Sequence, residues 1–137
     1  MKFKLLIATI AFGFVAGSAF AELGDASKVP AASKKRVSFK KDIKPVFDKS
    51  CVKCHSGDRP KSKYVMDSVA NIIKGGSSDE AAIIPGNAKK SPMVHYCLDL
   101  VEDLEMPPTG KREKYPKLTA AQLADLVAWI DQGAKDN

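Results

Sequence analysis

The residues best placed to do specific chemistry in this chain are Cys51-Val52-Lys53-Cys54-His55. A C-x-x-C-H run is the pattern through which a c-type haem is attached. The two thiols add across the vinyl groups and become thioethers, and the adjacent histidine sits under the iron as proximal ligand. Two other uses of the cysteine pair compete with this one. A zinc site could draw on Cys51, Cys54, His55 and Cys97, but the second closely spaced ligand pair that zinc modules use is missing. A thioredoxin-like dithiol needs a βαβ setting, whereas this chain patterns as helices and loops.

A six-coordinate iron needs a second axial ligand, and the sequence offers Met66, Met93, Met106 and His95. Met106 is favoured because Pro107 and Pro108 follow it. Their fixed φ and missing N–H groups make a stiff, non-helical segment. A thioether held there loses little freedom on binding. His95 would give a bis-histidine iron of lower potential than His/Met ligation. An open sixth position would suit a peroxidase-like enzyme or a gas sensor. The proximal imidazole also needs an acceptor for its other ring nitrogen, and a carbonyl near Pro60 or Pro85 is expected to supply it. The polar loop 56–63 carries Arg59, Lys61 and Lys63. Arg59 is the expected propionate contact, because a guanidinium can bind a carboxylate through two hydrogen bonds.

These groups must be held by helices. Ser38 can cap one, and Phe39, Ile43, Val46 and Phe47 share a face leading into Cys51. Pro45 either kinks that helix or starts a short one after a turn. Tyr64-Val65-Met66 is a short extended piece. Asp67 is expected to cap a helix through Ile73, stopped by Gly75-Gly76. Ser91-Pro92 starts another, expected to run until Met106-Pro107 ends it, with Val94, Cys97, Leu98, Val101 and Leu104 on its apolar face. Cys97 is therefore expected as a buried thiol, and His95 at the surface. Thr119 and Gln122 form a capping box before the last helix, whose Leu123, Leu126, Val127 and Ile130 face is expected to pack on the helix preceding Cys51.

Of the 137 residues, 45% are hydrophobic and 28% charged, which excludes a disordered or fibrous chain. Residues 1–21 differ in kind. Lys2 and Lys4 precede an apolar run, and Ala19 and Ala21 fit an A-x-A cleavage site. The segment is expected to be a secretory signal peptide cut after Ala21, which places the protein in the periplasm. Its apolar run is short for a spanning helix, so no membrane span is expected after cleavage. Loss of Lys2 and Lys4 takes the formal net charge from +6 to +4. The lysines are scattered without interleaved aromatics, so nucleic-acid binding is not expected. Residues 22–36, rich in Ala, Ser and Lys, read as a flexible basic arm, and residues 37–137 as the domain. The expected state is a monomer, with a Cys97-linked dimer as the alternative.

From Phe39 to Ala134 the chain resembles single-haem class I-type cytochromes c, and most closely the planctomycete-type cytochrome c domain. The matching motifs are Asp42-Ile43-Lys44-Pro45, Cys51 to His55, Gly75-Gly76, Ile84-Pro85-Gly86, Ser91-Pro92, Met106-Pro107-Pro108, Leu118-Thr119 and Trp129 to Ala134. The chain departs from the pattern at Ser62-Lys63, where such domains often have Gly-Gly. The resemblance implies an all-α fold wrapped around one covalent haem c, with His55 and Met106 as axial ligands. It also implies electron transfer between a protein donor and a protein acceptor outside the cytoplasmic membrane, without enzymatic activity of its own. The alternatives are the enzyme or gas sensor with an open sixth position, and a haem subunit tethered to a larger complex.

Overall fold

The computed structural model describes residues 22–78 and 80–137; the expected signal peptide, 1–21, lies outside them. Among the described residues the fold is all-helical, without strands. Its helices are α1 (Lys44–Ser50), α2 (Val69–Lys74), α3 (Pro92–Cys97) and α4 (Ala120–Asp131), joined by loops with single 3-10 turns. No helix among these residues is long and apolar enough to cross a membrane.

The chain enters α1 through a wider, π-helical turn, Phe39–Ile43. Ser38 caps this turn, and the Asp42 carboxylate accepts the Ser38 N–H at 2.8 Å. Pro45 has no N–H to continue an α-helical ladder backwards, so the backbone changes winding at Ile43–Lys44. Of the two sequence expectations, the turn leading into a short helix is the one adopted. On the other side of the core, the Thr119–Gln122 capping box of α4 forms in full.

Trp129, 1% exposed, is the centre of the rigid core. Its ring lies 5.4 Å from Phe39 and 6.4 Å from Phe47, the latter edge-on. Such aromatic pairs add to the free energy of plain burial, and they fasten α4 to the segment leading into Cys51, as the apolar faces predict. Gln132 and Asn137 complete the join. Gln132 accepts the Val37 N–H at 3.0 Å, and Asn137 accepts the Phe39 N–H at 2.7 Å through its side chain.

Four expectations are corrected. Residues 22–36 are laid along the domain: Val29 is buried, Ser33 N–H donates to Ala124 O at 3.0 Å, and Lys35 pairs with both Asp42 and Asp125. One apolar residue and three polar anchors suffice to seat a stretch whose composition alone suggested an arm. Second, α3 stops at Cys97, well short of Leu104. Asp99 takes a left-handed φ of +58° and Leu100 N–H turns back to His95 O, so the helical ladder cannot continue. Leu104 is consequently 37% exposed. Third, His95 is fully buried, its Nε2 2.8 Å from Lys89 O and its Nδ1 without a partner. All residues of the short α3 except the half-buried Tyr96 are buried, so the side carrying His95 has no solvent to meet. Fourth, Ser68, not Asp67, caps α2, accepting the Asn71 N–H.

Ser62 and Lys63 both adopt φ of +53°, at the place where Gly-Gly is usual in the domains this chain resembles. Two residues other than glycine thus carry left-handed backbone here. Gly75, by contrast, sits at φ +89° and ψ −164°, a region open essentially to glycine alone. A Cβ there would also meet Ala82 N and Glu80 O at 3.0 Å. Gly75→Ala is expected to destabilise the protein by about 2–3 kcal/mol. Lys63→Gly is expected to be neutral or to stabilise it by up to about 1 kcal/mol, since relief of left-handed strain is partly offset by backbone entropy. Urea denaturation of both variants beside the wild type checks the opposite signs.

Candidate functional site

The attachment motif leaves α1 on a doubled turn. The Phe47 carbonyl accepts N–H groups from both Cys51 (2.8 Å) and Val52 (2.9 Å), and His55 N–H returns to Cys51 O and Val52 O. This winding brings Cys51, Cys54 and His55 to the wall of one cavity of about 520 Å³. Met106 lines it too, as do Met66 and Met93. All three methionines considered as ligands therefore face the same space. The remaining wall is chiefly apolar and aromatic, with Tyr64, Tyr96 and Leu104 among its residues.

On the His55 side, Nδ1 lies 3.2 Å from the Lys61 carbonyl. The acceptor expected near Pro60 or Pro85 is thus the residue after Pro60. The Pro85 turn is used elsewhere, its Gly86 N–H donating to Ile130 O of α4. With Nδ1–H donated to this carbonyl, Nε2 is the nitrogen left to bind a metal. Burial holds the imidazole pKa below its ordinary value, against the opposing effect of the backbone hydrogen bonds at Lys61 and Tyr64. His55 is therefore neutral at pH 7, with a lone pair to offer.

The Met106 side is held mainly by backbone. Met106 N–H donates to Tyr96 O at 2.9 Å, closing the loop that leaves α3. Arg112 then straddles this loop, with Nε on Pro107 O at 2.9 Å and Nη2 on Asp99 Oδ1 at 2.6 Å. Lys117 takes the other Asp99 oxygen, also at 2.6 Å. Sequence reasoning missed Arg112 and Asp99, which look like ordinary loop charges. It also missed Tyr64, whose only signal is an aromatic side chain in a polar stretch close behind the motif.

Arg59 is exposed and does not line the cavity. Residues 56–59 are all exposed, and after His55 the cavity lining resumes at Lys61. The cations that line the cavity are Lys61 and Lys111. Cys97 is buried as expected, with its thiol pushed up to about 12 by burial, and it lines the same cavity. Burial likewise lifts the Cys51 thiol well above its usual range. Among the described residues no three His, Cys, Asp or Glu side chains are gathered as a metal site, so Cys97 does not complete a zinc set.

The cavity fits a haem in donor chemistry: two thiols and a neutral imidazole in one wall, thioethers facing the same space, and an apolar lining. A family model described as Planctomycete cytochrome C matches residues 51–110, from the attachment motif to just beyond Met-Pro-Pro. The stretches 39–50 and 111–134, which also carry the sequence resemblance, lie outside that match. Neither the curated proteins nor the solved structures contain a match.

Desolvation opposes the charge on Asp99, but hydrogen bonds from Arg112 and Lys117 outweigh it and hold the carboxyl below the ordinary aspartate range. A depressed folded-state pKa stabilises the fold above the unfolded value and loses that effect as pH falls through the folded one. Asp99→Asn is expected to cost about 1–2 kcal/mol at pH 7. The gap between variant and wild type should close as the pH drops below the ordinary aspartate value. Denaturation curves at pH 7 and across the acid range check it; a gap that persists in acid would show that the ion pairs are not its source.

Proposed function

We infer, from a chain that carries a planctomycete-type cytochrome c domain over residues 51–110, that this haem-binding cytochrome is a single-electron carrier with one covalently attached haem. The haem, when bound, supplies a one-electron iron couple whose potential follows its axial ligands. The observation that carries this reading is the convergence of Cys51, Cys54, His55 and Met106 on one apolar cavity.

Cys51 and Cys54 would hold the group through thioethers. His55 would offer Nε2, its ring fixed by the Lys61 carbonyl. Met106 would take the sixth position. Met66 and Met93 share the cavity wall, but Met106 differs in its tether. Two prolines follow it, and Arg112 grips the next carbonyl, whereas the N–H bond to Tyr96 O has counterparts at Met66 and Met93. A ligand fixed in this way before binding loses little entropy on doing so. Lys61 and Lys111 replace Arg59 as the cations proposed to meet the propionates.

A closed, His/Met-ligated centre suits outer-sphere electron passage, because neither bond need be made or broken. The apolar wall excludes water and limits competing chemistry. The partners proposed are a protein donor and a protein acceptor, with nucleic acid excluded on the scattered placement of the lysines. The proposed location is the periplasm, on the strength of the residue 1–21 pattern. A monomer is favoured over a Cys97-linked dimer, since Cys97 is enclosed in the cavity wall. The seated 22–36 stretch likewise argues against its use as a free tether to a larger complex.

Reduced and oxidised spectra of the purified protein are expected to show a low-spin c-type haem with a weak far-red band from sulfur ligation. Met106→Ala should abolish that band and admit carbon monoxide to the reduced iron. Met66→Ala and Met93→Ala should retain it. A band unchanged in Met106→Ala would refute the axial assignment. Rapid carbon monoxide binding by the native protein would favour the enzyme or gas-sensor alternative.

A further inference from the structure

We propose that Tyr64 is a positioning residue that fixes the His55 ring and thereby helps set the reduction potential of the iron. The proposal rests on His55 being the proximal ligand. The Tyr64 ring lies 5.1 Å from the His55 ring, centroid to centroid, tilted by 57°. Its hydroxyl donates to Ile72 O at 2.7 Å, and Ile72 is 2% exposed within α2. The phenol is therefore a strut between a buried residue of α2 and the imidazole.

The same residue acts on the histidine's hydrogen bond. Tyr64 N–H donates to Lys61 O at 3.0 Å, and that carbonyl also faces His55 Nδ1 at 3.2 Å. One oxygen thus serves two donors, one of them the backbone N–H of a residue whose side chain is anchored to Ile72 O. Two further contacts make the arrangement stiff. Ser77 N–H donates to Ser62 O at 2.7 Å, and Met66 N–H donates to His55 O at 2.8 Å. Gly76 packs so closely on Ser62 O and the Tyr64 Cβ that a side chain there would displace them.

The direction of the effect follows from the hydrogen bond. A firmly held Nδ1–H···O bond raises the basicity of the metal-binding nitrogen, and a more basic ligand favours the oxidised iron. Releasing the strut weakens that bond and favours the reduced iron. The weakening is of the order of one ordinary hydrogen bond or less, which corresponds to a roughly three- to tenfold change in an equilibrium ratio.

Tyr64→Phe keeps the ring and removes the strut; Tyr64→Leu removes both. At the poise where the wild-type protein is half reduced, Tyr64→Phe is expected to be reduced in about a three- to tenfold higher ratio. Its electron paramagnetic resonance g-values, which follow the orientation of the imidazole plane, are expected to shift. In the apoprotein, the His55 nitrogen-15 signals should report an Nδ1–H tautomer that becomes less populated in Tyr64→Phe. A phenylalanine variant with wild-type potential, g-values and tautomer, but lower stability, would overturn the proposal and leave Tyr64 a packing residue. If Tyr64→Leu yields no holoprotein, Tyr64→Phe decides alone. A wild-type protein without histidine-ligated haem would overturn the site reading itself, a separate outcome visible before any variant is made.

Discussion

A small domain that is to enclose a bulky group must wall a space that its own side chains do not fill. Elsewhere its interior is close-packed. The fold of this chain follows from that constraint. The tight packing is displaced to one flank, where Trp129, Phe39 and Phe47 meet and α4 is fastened to the segment before Cys51. The cavity is left to be walled largely by turns and loops, with only short helices around it. Such walls stand only if their backbone is bonded, because a loop without partners would collapse into the space.

That bonding is concentrated on two carbonyls. On one side Lys61 O holds the His55 ring nitrogen and the Tyr64 N–H. On the other, Tyr96 O holds the N–H groups of Asp99 and Met106. The Lys61 carbonyl lies in a short 3-10 turn and the Tyr96 carbonyl in the last turn of α3, places where carbonyl groups are left over from helical bonding. The two proposed iron ligands are thus positioned by unused ends of small helices. Side chains reinforce both places: Tyr64 braces one, and Arg112 with Asp99 clamps the other.

This division decides what could be read from the sequence. The C-x-x-C-H run, the Thr119–Gln122 capping box and the apolar stripe of α4 are local patterns with local causes, and all three are legible. The packing of α4 on the α1 entry is legible as well, because both carry unpaired apolar faces. The early end of α3 is not. Val101 and Leu104 continue the helical spacing, and left-handed residues at Asp99, held by Arg112 and Lys117 from a later loop, and at Asp103 break it. His95 was misplaced for a related reason: periodicity assigns a helix one wet face, and in α3 only Tyr96 is partly exposed. The left-handed backbone at Ser62 and Lys63 is not legible either, because neither residue type announces it.

The ties between the two ends of the domain have a kinetic meaning. Val37 to Gln132, Phe39 to Asn137 and Val37 to Asn137 join residues 95 to 100 positions apart. Closing a loop of that length costs entropy before any contact rewards it. Everything that would touch the haem lies inside that hoop. While the ends are still apart, Cys51 and Cys54 are on an open strand of chain, accessible to a bulky planar group and to whatever machinery delivers it. A join of the ends made after a cofactor has entered would shut it in, so the placement of these ties outside the cavity residues leaves room for loading before closure.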